Sequence, residues 1–176
     1  MTGAGRLQAS GFTLIEVLVS MLVLTVALVG LLSVFTQAIV VTSFGQDDLI
    51  AKQKAREALE SIYTARNTNQ ISFSMIRGVS RGGIFVEGFQ PLYTPGPDGL
   101  LATVDDAEPE TMVTPGSDGM VGTPDDEIRS LNAYQREVVI QESGEDLRKV
   151  TVTVRYRGGR GIPRDYQISS FVSRFR

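Results

Sequence analysis

The feature that most constrains this chain is a run of thirty residues, 17–46, without a single charged side chain. A bilayer span needs about 20 predominantly apolar residues in a helix. The first nineteen of the run, VLVSMLVLTVALVGLLSVF, meet that need. Its few polar members are mostly Ser and Thr, whose hydroxyls can bond back to helix carbonyls. A secretory signal would have a shorter apolar stretch with a small-residue cleavage site behind it. Here the small residue, Gly11, stands in front. The expectation is a retained membrane helix. Flanking charges do not fix its orientation: Arg6 alone precedes it, while Asp47 and Asp48 and then Lys52, Lys54 and Arg56 follow.

Glu16 does not fit a plain anchor. A carboxylate at the front of an apolar run costs several kcal/mol, on the order of 3, unless it merely marks the helix start near the headgroups or meets a positive charge. A free α-amino group created by a cut nearby would serve. Both readings of Glu16 stay open on this ground alone.

The helix is expected to continue past the apolar run. No Pro occurs before Pro91, and Ala51, Ala55, Ala58, Leu59, Ile62 and Ala65 recur at three- and four-residue spacing among charged residues. That is one apolar stripe on a polar helix. A helix over 12–65 would be about 80 Å long at 1.5 Å per residue. Its first half suits lipid and its second half a soluble head. Gly30 and Gly45 offer places for a bend or for close helix approach.

Charge is segregated along the chain. Residues 1–97 carry seven basic and six acidic side chains, 98–127 nine acidic and no basic ones, and 128–176 ten basic and five acidic ones. The absence of Cys and His removes disulfides, thiolate nucleophiles, Ser–His pairs and the usual zinc ligands. The net charge of −3 does not suggest a general nucleic-acid binder. DNA could touch the arginines near Tyr156, Tyr166 and Phe175, but scattered surface arginines are more often solvated, and DNA is not expected as a partner.

The acidic middle holds a near-repeat at an offset of 20 residues. PGPDGLLATVDD at 95–106 returns as PGSDGMVGTPDD at 115–126. Each copy has a turn signal, an apolar pair and an acidic pair. Asp98, Asp105, Asp106, Asp118, Asp125, Asp126 and Glu127 could supply the hard oxygen ligands calcium favours, although the spacing is not that of an EF-hand. The other reading is an exposed, solvated loop. Two copies are too few for a solenoid.

The C-terminal part reads as strands. YQREVVIQ at 134–141 is followed by a turn at 143–146. LRKVTVTVRY at 147–156 then places Val150, Val152, Val154 and Tyr156 on one face and Thr151, Thr153 and Arg155 on the other. RGGRGIP breaks the pattern, and YQISSFVSRF at 166–175 gives a last strand. An antiparallel sheet follows. Residues 71–94, including Gly83-Ile84-Phe85-Val86, could add a first strand or a loop.

The stretch Gly11-Phe12-Thr13-Leu14-Ile15-Glu16-Val17-Leu18-Val19, followed by the long apolar helix, resembles the cleavage and methylation signal of the type IV pilin family. The resemblance covers about 30 residues firmly, with a leader less basic than many in the family. It implies a leader of residues 1–11, scission between Gly11 and Phe12 by a prepilin peptidase, N-methylation of Phe12, and pairing of Glu16 with the N-terminal amine of a neighbouring subunit. It further implies an α+β fold, with a long N-terminal helix packed against a C-terminal antiparallel sheet head. The expected divisions are 1–11 leader, 12–41 membrane and assembly helix, 42–67 amphipathic continuation, 68–94 linker, 95–127 acidic loop and 128–176 sheet. The V-T-V-T-V strand, glycine-rich turn and final strand look most like minor pilins and the minor pseudopilins of type II secretion. Partners implied are the prepilin peptidase/methylase, other pilin or pseudopilin subunits and an inner-membrane assembly platform. The implied location is the bacterial inner membrane with the head outside the cytoplasm, then a pilus or pseudopilus. The competing class is a membrane-anchored binding or sensor domain that keeps residues 1–11 and enters no filament. An enzyme is not expected.

Overall fold

The computed structural model describes residues 11–157 and 161–175. Most of the leader and part of the glycine-rich break at 157–163 therefore lie outside the described residues. The chain divides into two compact units, residues 1–42 and 43–176. One helix, α1 (Leu14–Asn67), contributes to both.

In the first unit α1 is apolar on every side and its large side chains are exposed, from Leu14 through Val41. Thr25, Thr36 and Thr42 donate to the carbonyls four residues back, at 2.7, 3.0 and 3.0 Å. The hydroxyls are thus satisfied within the helix, as an apolar solvent requires.

In the second unit the stripe Ala51, Ala55, Ala58, Leu59, Ile62 and Ala65 is buried in the core. These alanines share one core cluster with the inward side chains of the sheet. The helix ends where Asn69 takes a left-handed φ of 64° and Gln70 N–H reaches back to Ala65 O at 2.9 Å. This is a capping geometry that asparagine tolerates better than most residues. Two short 3-10 turns, Phe73–Met75 and Val79–Arg81, follow.

The main sheet has four antiparallel strands: β1 (Gln90–Pro91), β4 (Tyr134–Glu142), β5 (Leu147–Arg157) and β6 (Pro163–Ser173), in the order β1-β4-β5-β6. A separate antiparallel pair joins β2 (Thr111–Thr114) to β3 (Glu127–Ser130). Val150, Val152, Val154 and Tyr156 face the core as their alternation predicts.

On the other face of β5, whose environment the sequence left open, the threonines are covered. Thr151 and Thr153 are buried, Thr151 sharing a hydrogen bond with Ser169 of β6 and Arg155 lying over the Phe89 ring. The last strand begins at Pro163 rather than Tyr166. An edge position tolerates proline because it asks for no amide donor there. The acidic middle is not all loop: β2 and β3 bracket the second repeat and make it a hairpin tip, while Phe85 forms only isolated bridges.

Polar contacts fix the helix to the sheet at both ends of its buried part. Asp47 accepts from the Tyr134 hydroxyl (2.9 Å) and pairs with Arg129 (3.0 Å), and Asp48 accepts from the Tyr156 hydroxyl (3.1 Å). The two tyrosine rings stack at 5.8 Å. Burial, reinforced by the Asp47 carboxylate, pushes the Tyr134 hydroxyl far above the usual phenol range. At the other end of the buried segment, Tyr63 donates to Phe171 O at 2.8 Å and Arg66 to Arg174 O at 2.7 Å.

Candidate functional site

The N-terminal site begins with Gly11 and Phe12, both exposed and ahead of the first helical turn. Thr13 caps that turn: its Oγ1 accepts from Glu16 N–H at 3.3 Å and its carbonyl from the same amide at 3.1 Å. Thr13-x-x-Glu16 has the spacing of a capping box. Glu16 thus stands in the first turn, where a carboxylate complements the unpaired amides. This position agrees with the reading in which Glu16 marks the helix start; the Thr13 cap is a signal the sequence carried and that reading did not use. Among the described residues the Glu16 carboxylate has no cationic partner, and the helix surface after it is entirely exposed.

The two Asp-Gly repeats fold into the same turn. In the first, Asp98 accepts from Leu100 N–H at 2.8 Å, and Asp105 from the Thr103 hydroxyl at 2.8 Å and Asp98 N–H at 3.4 Å. Asp106 accepts from Ala102 N–H at 2.7 Å. The second repeats each contact. Asp118 takes Met120 N–H at 2.8 Å, Asp125 takes the Thr123 hydroxyl at 2.7 Å and Asp118 N–H at 3.3 Å, and Asp126 takes Gly122 N–H at 2.6 Å. Gly99 and Gly119 share a left-handed φ of 68° and 70°. A methyl at Gly96 or Gly116 would collide with Asp105 or Asp125 respectively. The six aspartates therefore already act as acceptors for their own loops. Glu127 stands apart on β3 opposite Thr114. Among the described residues no three carboxylates converge on a point that could hold a metal ion.

The charge environments of the copies differ. Hydroxyl donors hold Asp105 and Asp125 below the usual carboxylate range, Thr103 acting on the first and Thr123 with Ser117 on the second. Burial raises Asp106 instead, against the pull of loop amides and Arg136.

Beneath the first copy lies a group of charges that the sequence did not reveal. Lys54 bridges Glu57 (2.8 Å) and Glu110 (2.6 Å), and Glu110 is buried. Arg136 is buried on β4 with Nη2 donating weakly to Tyr93 O at 3.4 Å. Burial lowers the Arg136 pKa, opposed by Glu110, Asp106 and Glu57. These residues hold the linker between the repeats against α1.

The architecture is pilin-like: a long N-terminal apolar helix whose C-terminal part packs on an antiparallel sheet. Residues 6–32 match the family described as the prokaryotic N-terminal methylation motif. Neither a curated protein nor a solved structure matches the chain. Motif, helix and sheet together are consistent with a type IV pilin-like fold, and the motif implies a peptidase/methylase partner in general. The single long apolar helix is consistent with a membrane-anchored protein.

Proposed function

We propose that this chain is a non-catalytic structural subunit of a filament of the pilin and pseudopilin kind, and within it a minor or accessory subunit. One observation carries the reading. The methylation-motif match at 6–32 falls on the start of a helix whose first half, from Leu14 through Val41, exposes its large apolar side chains. Such a surface needs lipid or other apolar helices around it. A subunit that leaves the bilayer must replace lipid with a bundle of identical stripes, and repeated heterologous contacts of this sort build open filaments.

Processing supplies what Glu16 lacks. Scission between Gly11 and Phe12 creates an α-amino group, and Glu16 of one subunit accepts the Phe12 amine of its neighbour. The pair sets register. Its attraction is offset by desolvation, so no net stability is assigned to it. The head stays outside the cytoplasm, and an inner-membrane assembly platform receives the processed subunit.

Mass analysis of the mature N-terminus tests this. The expected chain begins at Phe12 and carries an N-methyl group. Recovery of the chain with residues 1–11 attached and no methyl group would instead favour a membrane-anchored binding domain. Glu16→Ala should leave the protein in the membrane and reduce its recovery in sheared filaments at least several-fold.

A further inference from the structure

The duplicated turn has its apolar pair in two different states. Leu100 and Leu101 of the first copy are 1% and 2% exposed and belong to the core. Their counterparts twenty residues on, Met120 and Val121, are 64% and 68% exposed. The hydrogen bonds that shape the two turns are the same, so the turn itself does not require the pair to be exposed. What the second copy lacks is a surface to enter. It also carries Asp118, Asp125 and Asp126 with no basic residue between 115 and 126.

The opposite end of the head carries a complementary surface. A groove of about 530 Å³ is lined by Arg66, Arg77, Arg148 and Arg174 together with Phe73 and Asn69. Glu145 also lines it, Glu142 pairs with Arg77 at 3.0 Å and Asp146 with Arg174 at 3.4 Å. Among the described residues Arg66 and Arg148 donate only to main-chain carbonyls, of Arg174 in one case and of Phe73 and Ile76 in the other. The groove therefore keeps an excess of positive charge beside an aromatic ring. It also adjoins the seat of the first turn, since Gln70, between Asn69 and Ile71, donates to Asp98 O.

The two surfaces are far apart on one head. The second turn springs from the β2–β3 pair, which Arg129 ties to Asp47 at the start of the buried helix segment. The groove lies at the end of that segment, at Arg66. Nineteen residues of helix separate them by about 28 Å. A turn on one copy cannot reach its own groove, but it can reach the groove of another.

We propose that residues 115–126 are a docking knob that seats Met120 and Val121, rimmed by the three aspartates, in the arginine-lined groove of a second copy of this chain. The inference rests on the filament reading above and adds the head-to-head contact. Because knob and groove are different surfaces, the contact is heterologous and leaves one knob and one groove free at its ends, so an accessory subunit of this kind enters the filament as a short run of copies rather than singly. Methionine suits the role, since its flexible side chain fills irregular gaps and its sulfur makes favourable contacts with an aromatic ring such as that of Phe73.

Cysteine pairing in the full-length chain tests this, since the chain has no cysteine of its own. Val121→Cys places a thiol on the knob and Ser74→Cys one in the groove, both at exposed positions. After mild oxidation of membranes from cells making the double variant, a ladder of dimer, trimer and larger products is expected. Each single variant should stay monomeric, and a mixture of the two should yield dimers holding one of each. Dimers from Val121→Cys alone, or a product joined to a protein of another mass, would overturn the proposal. Recovery of the double variant in sheared filaments with no cross-linked ladder would overturn the knob while leaving the filament reading intact. A ladder from a chain absent from filaments would do the reverse, and absence of both would overturn both.

Discussion

The two Asp-Gly turns form an internal control. Twelve residues at 95–106 and twelve at 115–126 make matching hydrogen bonds, yet one copy is sealed into the head and the other caps a free hairpin. The four aspartate contacts that shape each turn are shared, while Gly96 N–H to Asp106 belongs to the first copy and the Ser117 hydroxyl to Asp125 to the second, so burial is the larger difference between them. The first turn is a structural wedge between α1 and the sheet. The second is a displayed surface whose loss should leave the head intact.

The largest expected effect comes from the apolar pair. Leu101→Ala should destabilise the head by about 2–5 kcal/mol, as for other buried leucines. Val121→Ala should change stability by no more than about 0.5 kcal/mol. Denaturant unfolding of the detergent-solubilised full chain, followed by tyrosine fluorescence, gives both numbers. Equal losses would break the comparison.

Acid should separate the turns less strongly. Asp125 has a lowered pKa, so its support is complete above the ordinary carboxylate value of 3.8 and is lost as pH falls through its folded value. Asp105 behaves likewise. Asp106 has the opposite sign: its raised pKa means that the folded turn binds a proton more readily than the unfolded chain, so its contribution grows as pH falls. From about pH 6 to about pH 3, amide protection at Asp118 should therefore fall further than at Asp98. Parallel loss at both amides in hydrogen exchange would show that the buried carboxyl does not buffer the first turn.

The smallest effect sharpens the backbone side of the comparison. Ala102 holds a φ of 64° where its counterpart Gly122 holds 96°. A left-handed non-glycine residue costs about 1 kcal/mol, and Ala102→Gly relieves this while losing about 0.8 kcal/mol of methyl burial. The unfolding midpoint should barely move. Gly122→Ala should cost about 1 kcal/mol in its own turn, seen as faster exchange at Gly122 with the midpoint of the head unchanged.

Much of the fold was legible because its signals are local. The uncharged run and the alanine stripe specify α1, and the valine alternation specifies the core face of β5. The N-terminal motif was equally plain, and Thr13, three residues ahead of Glu16 in a capping pattern, was available to be read. The burial of Thr151 and Thr153 was not, because a threonine alternating with valine looks like a solvent-facing residue until its β6 neighbours, Ser169 beside Thr151 and Gln167 beside Thr153, are known. β2 and β3 were hidden for a similar reason: four-residue strands with largely exposed side chains have no apolar period to display.

What the sequence determined by itself is the set of units: an apolar helix continued by a striped one, alternating strands, and two copies of one turn whose hydrogen bonds close within a dozen residues. The tertiary structure alone decided their environments. It buried Leu100 and Leu101 and left Met120 and Val121 outside, and it brought Lys54 to Glu110 across 56 positions of chain. The physical reason is range. A hydrogen-bonded turn finds all its partners among its neighbours in sequence, whereas burial depends on a surface supplied from elsewhere.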